Sequence, residues 1–229
     1  MLYMPFDTLY LYLVLPALIF SVWAQYRVTG SFKKYSGQRT ANGITGAEAA
    51  REVLRRAGVS EIPIERVSGS LTDHFDPRAN IIYLSENVYD TASVSAVGVA
   101  AHEAGHAVQY ASGYSPMKIR SAIIPVTNIG SKLSIPLVLL GIVFSMPGLI
   151  DIGILLFGAV VVFQLITLPV EFNASRRAVN VLNDSGLLSG GELAGAKKVL
   201  SAAALTYVGA LAVSLAQLIR LISISRSRR

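Results

Sequence analysis

Apolar positions fall into three long blocks separated by polar stretches. The first, Phe6 to Gln25, carries Asp7 as its only charge, and its length matches the roughly 20 residues a helix needs to cross a hydrocarbon core. The second, Ile123 to Val170, is interrupted at Met146-Pro147-Gly148 and is predicted to form two crossing helices joined by a tight turn. Pro125 and Pro136 should bend the first of these, with Lys132 in its cytoplasmic approach. The third block, Val199 to Ile222, is long enough to span but contains Gln217 and Arg220. A crossing and a re-entrant or interfacial helix both suit it.

Between Arg27 and Lys118 the pattern shortens to that of a small polar domain. Thr45-Gly-Ala-Glu48 is a capping-box sequence, and Ala47, Ala50, Val53 and Leu54 continue it as an amphipathic helix ending near Gly58. Ile62 to Val67 and Ile81 to Leu84 are predicted strands, separated by a turn-rich Asp73 to Asn80. Asp90 and Thr91 are candidate caps for a following helix that carries Val99-Ala-Ala-His-Glu-Ala-Gly-His-Ala-Val-Gln109. The expected organisation is an anchor at 1–26, a cytoplasmic domain at 27–118, a membrane hairpin at 119–170, a cytoplasmic helix at 171–198, and a hydrophobic helix with basic tail at 199–229. The fold class is a mainly α membrane protein whose small α+β cytoplasmic domain is completed by transmembrane helices.

Composition sharpens this picture. Of 229 residues, 52% are hydrophobic and only 15% charged, which is far too apolar for a soluble domain of that length. Cysteine is absent, which removes disulfides, thiolate metal sites and a cysteine nucleophile together. The net charge of +6 sits beside apolar runs and not in one stripe with interleaved aromatics, so nucleic acid is not an expected partner and the lipid bilayer is. Arg27, Lys33, Lys34 and Arg39 follow the first block and no basic residue precedes it. The positive-inside bias then places the amino terminus outside and the next domain in the cytoplasm, and a cleaved signal peptide would want a positive n-region that is missing.

On a helix, His102 and His106 share one face with β-carbons roughly 6 Å apart, close enough to bind one metal ion. Glu103 is turned about 100° from His102, beside the metal without ligating it. This is the arrangement in which two imidazoles hold zinc while a carboxylate moves protons for hydrolysis. A catalytic zinc needs a third protein ligand. The candidates are His74, Asp151, Glu171, Asp184 and Glu192. Asp151 falls outside by the predicted topology, whereas two crossings after the motif helix return Glu171 to the motif's own side. Glu171 is therefore the expected ligand.

HEAGH, followed by Pro169-Val-Glu-Phe-Asn-Ala-Ser-Arg-Arg177, with Asp76-Pro-Arg78 and Leu84-Ser85 upstream, resembles the bacterial membrane-bound neutral zinc metallopeptidases of the YugP type over nearly the whole chain. It is more distantly similar to the HtpX and CAAX-prenyl proteases of the gluzincin group. The resemblance implies a zincin-like domain, Zn2+ as cofactor, His102, His106 and Glu171 as ligands, and Glu103 as general base in an endopeptidase acting on protein or peptide substrates. Ser175 stands where the distant relatives carry aspartate, and Asn173 is an amide where an acid is expected, so the groups orienting the ligand imidazoles are altered. The resemblance also implies substrate binding by strand addition, assigned to Ile81–Leu84.

His74 is a candidate oxyanion or substrate-binding residue, and so is Arg176, with Arg177 beside it; as alternatives, His74 is a surface loop residue and the arginines are positive-inside anchors. Two rival functions follow from the same sequence. Intramembrane proteolysis would treat Ser93 to Ala111 as a crossing and require a different third ligand. A non-catalytic zinc scaffold would need four closed protein ligands. Homo-oligomerisation and membrane-protein partners stay open.

Overall fold

The computed structural model describes residues 7–227; Phe6 at the head of the first predicted span, and Arg228 and Arg229 of the predicted basic tail, lie outside them. In chain order the elements are a π-helical turn at Tyr10–Val14, then α1 (Leu15–Ser36), α2 (Gly46–Arg56), β1 (Ile64–Val67), β2 (His74–Asp76), β3 (Ile81–Ser85), α3 (Glu86–Tyr89), α4 (Val94–Ala111), α5 (Ser115–Val143), α6 (Pro147–Asp184) and α7 (Gly190–Arg226). Four helical stretches are long and apolar enough to cross a membrane: Tyr10–Ser36, Ser115–Val143, Pro147–Asp184 and Gly190–Arg226. The contacts define two units.

One unit comprises 7–24, 119–168 and 205–227 of the described residues. The turn predicted at Met146-Pro147-Gly148 joins α5 to α6, with Ser145 at φ 55° and Pro147 as the first residue of α6, where its missing N–H costs no helical bond. Pro125 and Pro136 lie inside one continuous α5. Along the hairpin three glycines let backbones touch: a Cβ would come within 2.8 Å of the Leu156 carbonyl at Gly130, 2.7 Å of the Ser134 carbonyl at Gly153, and 2.8 Å of the Ile150 nitrogen at Gly141. Small residues are what membrane helices use for such approach, since lipid supplies no hydrophobic drive.

Helix α7 is longer than the Val199 to Ile222 block. Within this unit Gly209 packs against the Ser21 Cα, Arg220 Nε pairs with Asp7 Oδ2 at 2.9 Å, and Ser225 Oγ donates to Asp151 Oδ1 at 3.3 Å. The carboxyl end of α7 thus shares one end of the unit with the start of α1 and the start of α6. Helix α7 is one of the four described helices long and apolar enough to cross a membrane. Arg220 is buried, and its pairing with Asp7 is what makes a charge tolerable among apolar helices.

The other unit comprises 25–118 and 169–204. The Thr45–Glu48 capping box forms in both directions, with Glu48 N–H donating to Thr45 Oγ1 and Thr45 N–H to Glu48 Oε2. Gly58, at φ 72°, ends the helix in the left-handed region glycine enters freely. The buried face of α2 (Ala47, Ala50, Val53, Leu54) shares one core with Val97, Ala100, Ala101 and Ala104 of α4.

The sheet is ordered β1-β3-β2, with β1 parallel and β2 antiparallel to β3. It differs from expectation in three ways. β1 starts at Ile64, because Pro63 has no N–H to donate to the ladder. Within the segment predicted to be turns, His74–Asp76 pairs as β2; three residues flanked by Pro77 are too short to show a period. Ile81–Leu84 is the central strand, so its backbone is engaged on both sides and cannot receive a substrate strand. The α4 N-cap is Ser93, whose Oγ accepts from Ala96 N–H at 3.3 Å, and not Asp90 or Thr91, which lie at the end of the short α3.

Candidate metal centre

Small residues on α4 bring two other helical segments close. A Cβ on Gly105 would lie 2.7 Å from the Ala174 carbonyl on α6, and one on Gly98 would lie 3.4 Å from Ala196 on α7. The first approach sets α6 directly against the histidine face of α4. It places Glu171 Oε2 3.2 Å from His102 Nε2 and 3.5 Å from His106 Nε2. Candidate ligand atoms of all three residues lie within 4.8 Å of one another. Bonds of roughly 2.0–2.1 Å in tetrahedral geometry separate ligand atoms by about 3.4 Å, so the spacing suits a zinc ion.

The hydrogen bonds behind the imidazoles make the same point. His106 Nδ1 meets Gln109 Oε1 at 3.0 Å and His102 Nδ1 meets Ser175 Oγ at 3.1 Å. Gln109 Oε1 can only accept, so the His106 ring proton sits on Nδ1 and its Nε2 lone pair faces a carboxylate oxygen, while the Ser175 hydroxyl can either give a proton to His102 Nδ1 or take one from it. Two imidazoles and a carboxylate converging in this way form a group that could hold a metal ion. His106 and Glu171 are buried, and His102 is partly buried.

Glu103 comes off the next position around α4, and its Oε2 accepts the backbone N–H of Phe75 on β2 at 3.0 Å. Burial pushes its carboxyl up to about 7, aided by the negative charges of Glu171 and Asp73 and opposed by His102 and the Phe75 N–H. Asp73 is itself raised by burial, although it accepts from Ser85 N–H at 2.8 Å and from the Ser85 hydroxyl. That contact ties the approach to β2 to the end of β3, and so fixes the strand that touches Glu103. Phe75 packs on Tyr110 of α4, ring centroids 5.7 Å apart.

The structure therefore gathers His102, Glu103, His106 and Glu171. It leaves His74 apart from the metal group, on β2, exposed, with its ring stacked on Tyr83 at 5.1 Å and its Nδ1 2.8 Å from the Thr72 carbonyl. Arg176 is exposed on α6. Sequence reasoning passed over Gln109, although it closes the motif run, and over the contact of β2 with Glu103. Position Gln109 three residues after His106 was the available signal, since that spacing puts both side chains on one helix face.

A family model matches residues 10–226, a stretch that includes both the HEAGH helix and Glu171. A relative described as "Putative membrane protease YugP", from Bacillus subtilis (strain 168), is 47% identical over 216 residues, covering 94% of this chain and 96% of its own length. No solved structure matches the chain. The family to which this chain belongs is the one described as "Putative neutral zinc metallopeptidase".

Proposed function

We propose that the protein is a membrane-anchored zinc endopeptidase whose site lies on the cytoplasmic side of the bilayer. The observation that carries this reading is the convergence of two imidazole Nε2 atoms and a carboxylate oxygen at 3.2 and 3.5 Å beside a second, non-converging carboxyl, that of Glu103, with a raised pKa. His102, His106 and Glu171 would hold zinc, which when bound makes a water acidic enough to attack a peptide carbonyl near neutral pH. Three protein ligands leave a position open, as catalytic sites do and closed structural sites do not.

Glu103 is suited to take the proton from the attacking water and pass it to the leaving amine. A carboxyl near 7 can both accept and release a proton at neutral pH, and the Phe75 N–H fixes one of its oxygens. The N–H and carbonyl of one residue in a strand point to the same side, so Phe75, whose N–H is given to Glu103, leaves its carbonyl along the outer edge of β2. An extended substrate adding there would lie antiparallel or parallel to β2 with its backbone beside Glu103. This replaces the assignment to Ile81–Leu84. Basic residues cluster where α1 ends and α5 begins, at Arg27, Lys33, Lys34, Lys118 and Arg120, which favours the cytoplasmic side for the unit that carries the site.

The test is metal content and proteolysis of the detergent-purified full chain. About one zinc per chain is expected, with hydrolysis of an unfolded protein lost on chelation and restored by zinc. Glu171→Ala should lower zinc affinity at least tenfold while His74→Ala leaves it unchanged; the reverse pattern would move the third ligand to His74.

A further inference from the structure

Gln109 is fully buried, yet both ends of its amide are engaged. Its oxygen meets His106 Nδ1 at 3.0 Å, and its nitrogen donates to the Val170 carbonyl at 2.8 Å and to Asn173 Oδ1 at 3.0 Å. Asn173 Oδ1 also accepts from Arg177 Nε at 2.8 Å, and the Arg177 guanidinium lies over the Tyr114 ring, 6.0 Å from its centroid. Four side chains from α4 and α6 are thus joined in one run.

The direction of every side-chain link follows from Arg177, and the Val170 carbonyl, which can only accept, holds the Gln109 amide the same way round. A guanidinium has donors only, so Asn173 must offer it an oxygen. That oxygen must receive a nitrogen from Gln109, which turns the Gln109 oxygen toward His106. His106 then carries its proton on Nδ1 and directs the Nε2 lone pair at Glu171. We propose that Arg177, Asn173 and Gln109 are a positioning relay: a permanently charged group at one end selects which nitrogen of His106 is offered to a metal at the other. This rests on the reading of His106 as a ligand.

The relay uses positions 173 and 109 differently. Only an oxygen is needed at 173, so Asn173→Asp preserves both bonds it accepts, while Asn173→Leu removes them. Both an acceptor and a donor are needed at 109, so Gln109→Leu breaks the run at its centre. The test combines zinc affinity of the full chain in detergent, by chelator competition, with nitrogen NMR of His106 in the metal-free protein. Gln109→Leu and Asn173→Leu should weaken zinc binding about 10- to 100-fold and let His106 populate the Nε2-protonated form. Asn173→Asp should stay within about threefold of wild type and keep the Nδ1 proton. Equal zinc affinity in Asn173→Leu and Asn173→Asp, or an unchanged His106 proton position in Asn173→Leu, would overturn the relay, and neither depends on whether Gln109→Leu folds. A wild type without zinc affinity would instead overturn the peptidase reading, and the proton position would still decide the relay.

Discussion

Glu103 is the residue whose environment is most costly and most informative. Burial holds its carboxyl near 7 against an ordinary 4.5, so without metal the folded state favours the neutral acid. The stabilisation this gives is complete below about pH 4.5 and is lost as pH rises through about 7, because the unfolded chain then ionises more readily than the folded one. A shift of that size corresponds to roughly 3 kcal/mol at most. Metal-free wild type should therefore lose thermal stability between about pH 5 and about pH 8, and Glu103→Gln should flatten that fall. Equal slopes in the two proteins, measured by thermal melting across that range, would show that Glu103 is ionised in the fold. A divalent cation beside it would pull its pKa back down, so zinc should reduce the same slope.

At the scale of elements, the site depends on how closely α6 can lie against α4. Gly105 allows that contact, since any Cβ there meets the Ala174 backbone at 2.7 Å. Gly105→Val should cost about 1–3 kcal/mol in stability and, by pushing Glu171 away from the imidazoles, lower zinc content at a temperature where the variant is still folded. A folded variant with full zinc would mean the close approach does not set the ligand geometry. This contact also explains what could be read from the sequence. His102, Glu103 and His106 follow from helical spacing, and Glu171 from counting crossings, because both are local or topological facts. Asn173 matters only once α4 and α6 are adjacent, which no periodicity reports, whereas Gln109 stands three residues after His106 on the same face of α4. β2 was hidden by its own shortness, and the central place of Ile81–Leu84 depended on it. The helix cap fell to Ser93 where three nearby polar residues were chemically suitable, a choice made by the bridge between Arg39 and Ser93.

For the whole molecule, the contacts of Asp7 with Arg220 and of Asp151 with Ser225 place the described ends of the chain and the α5–α6 turn at one end of the helical unit. The proposed orientation, with all four apolar helices crossing, predicts that the described ends of the chain face the outside and the loop at Ser60 the cytoplasm. The chain has no native cysteine, so single cysteines report cleanly: Ser145→Cys and Ser227→Cys should react with an impermeant maleimide on intact cells, and Ser60→Cys only after lysis. Labelling of Ser60→Cys from outside would invert the orientation. The central claim, that the chain is a zinc peptidase with Glu103 as its proton carrier, is tested most directly by comparing purified wild type with Glu103→Gln for bound zinc and peptide hydrolysis. The account predicts about one zinc per chain in both, with hydrolysis at least a hundredfold slower in the variant. An undiminished rate in a zinc-loaded Glu103→Gln protein would contradict it.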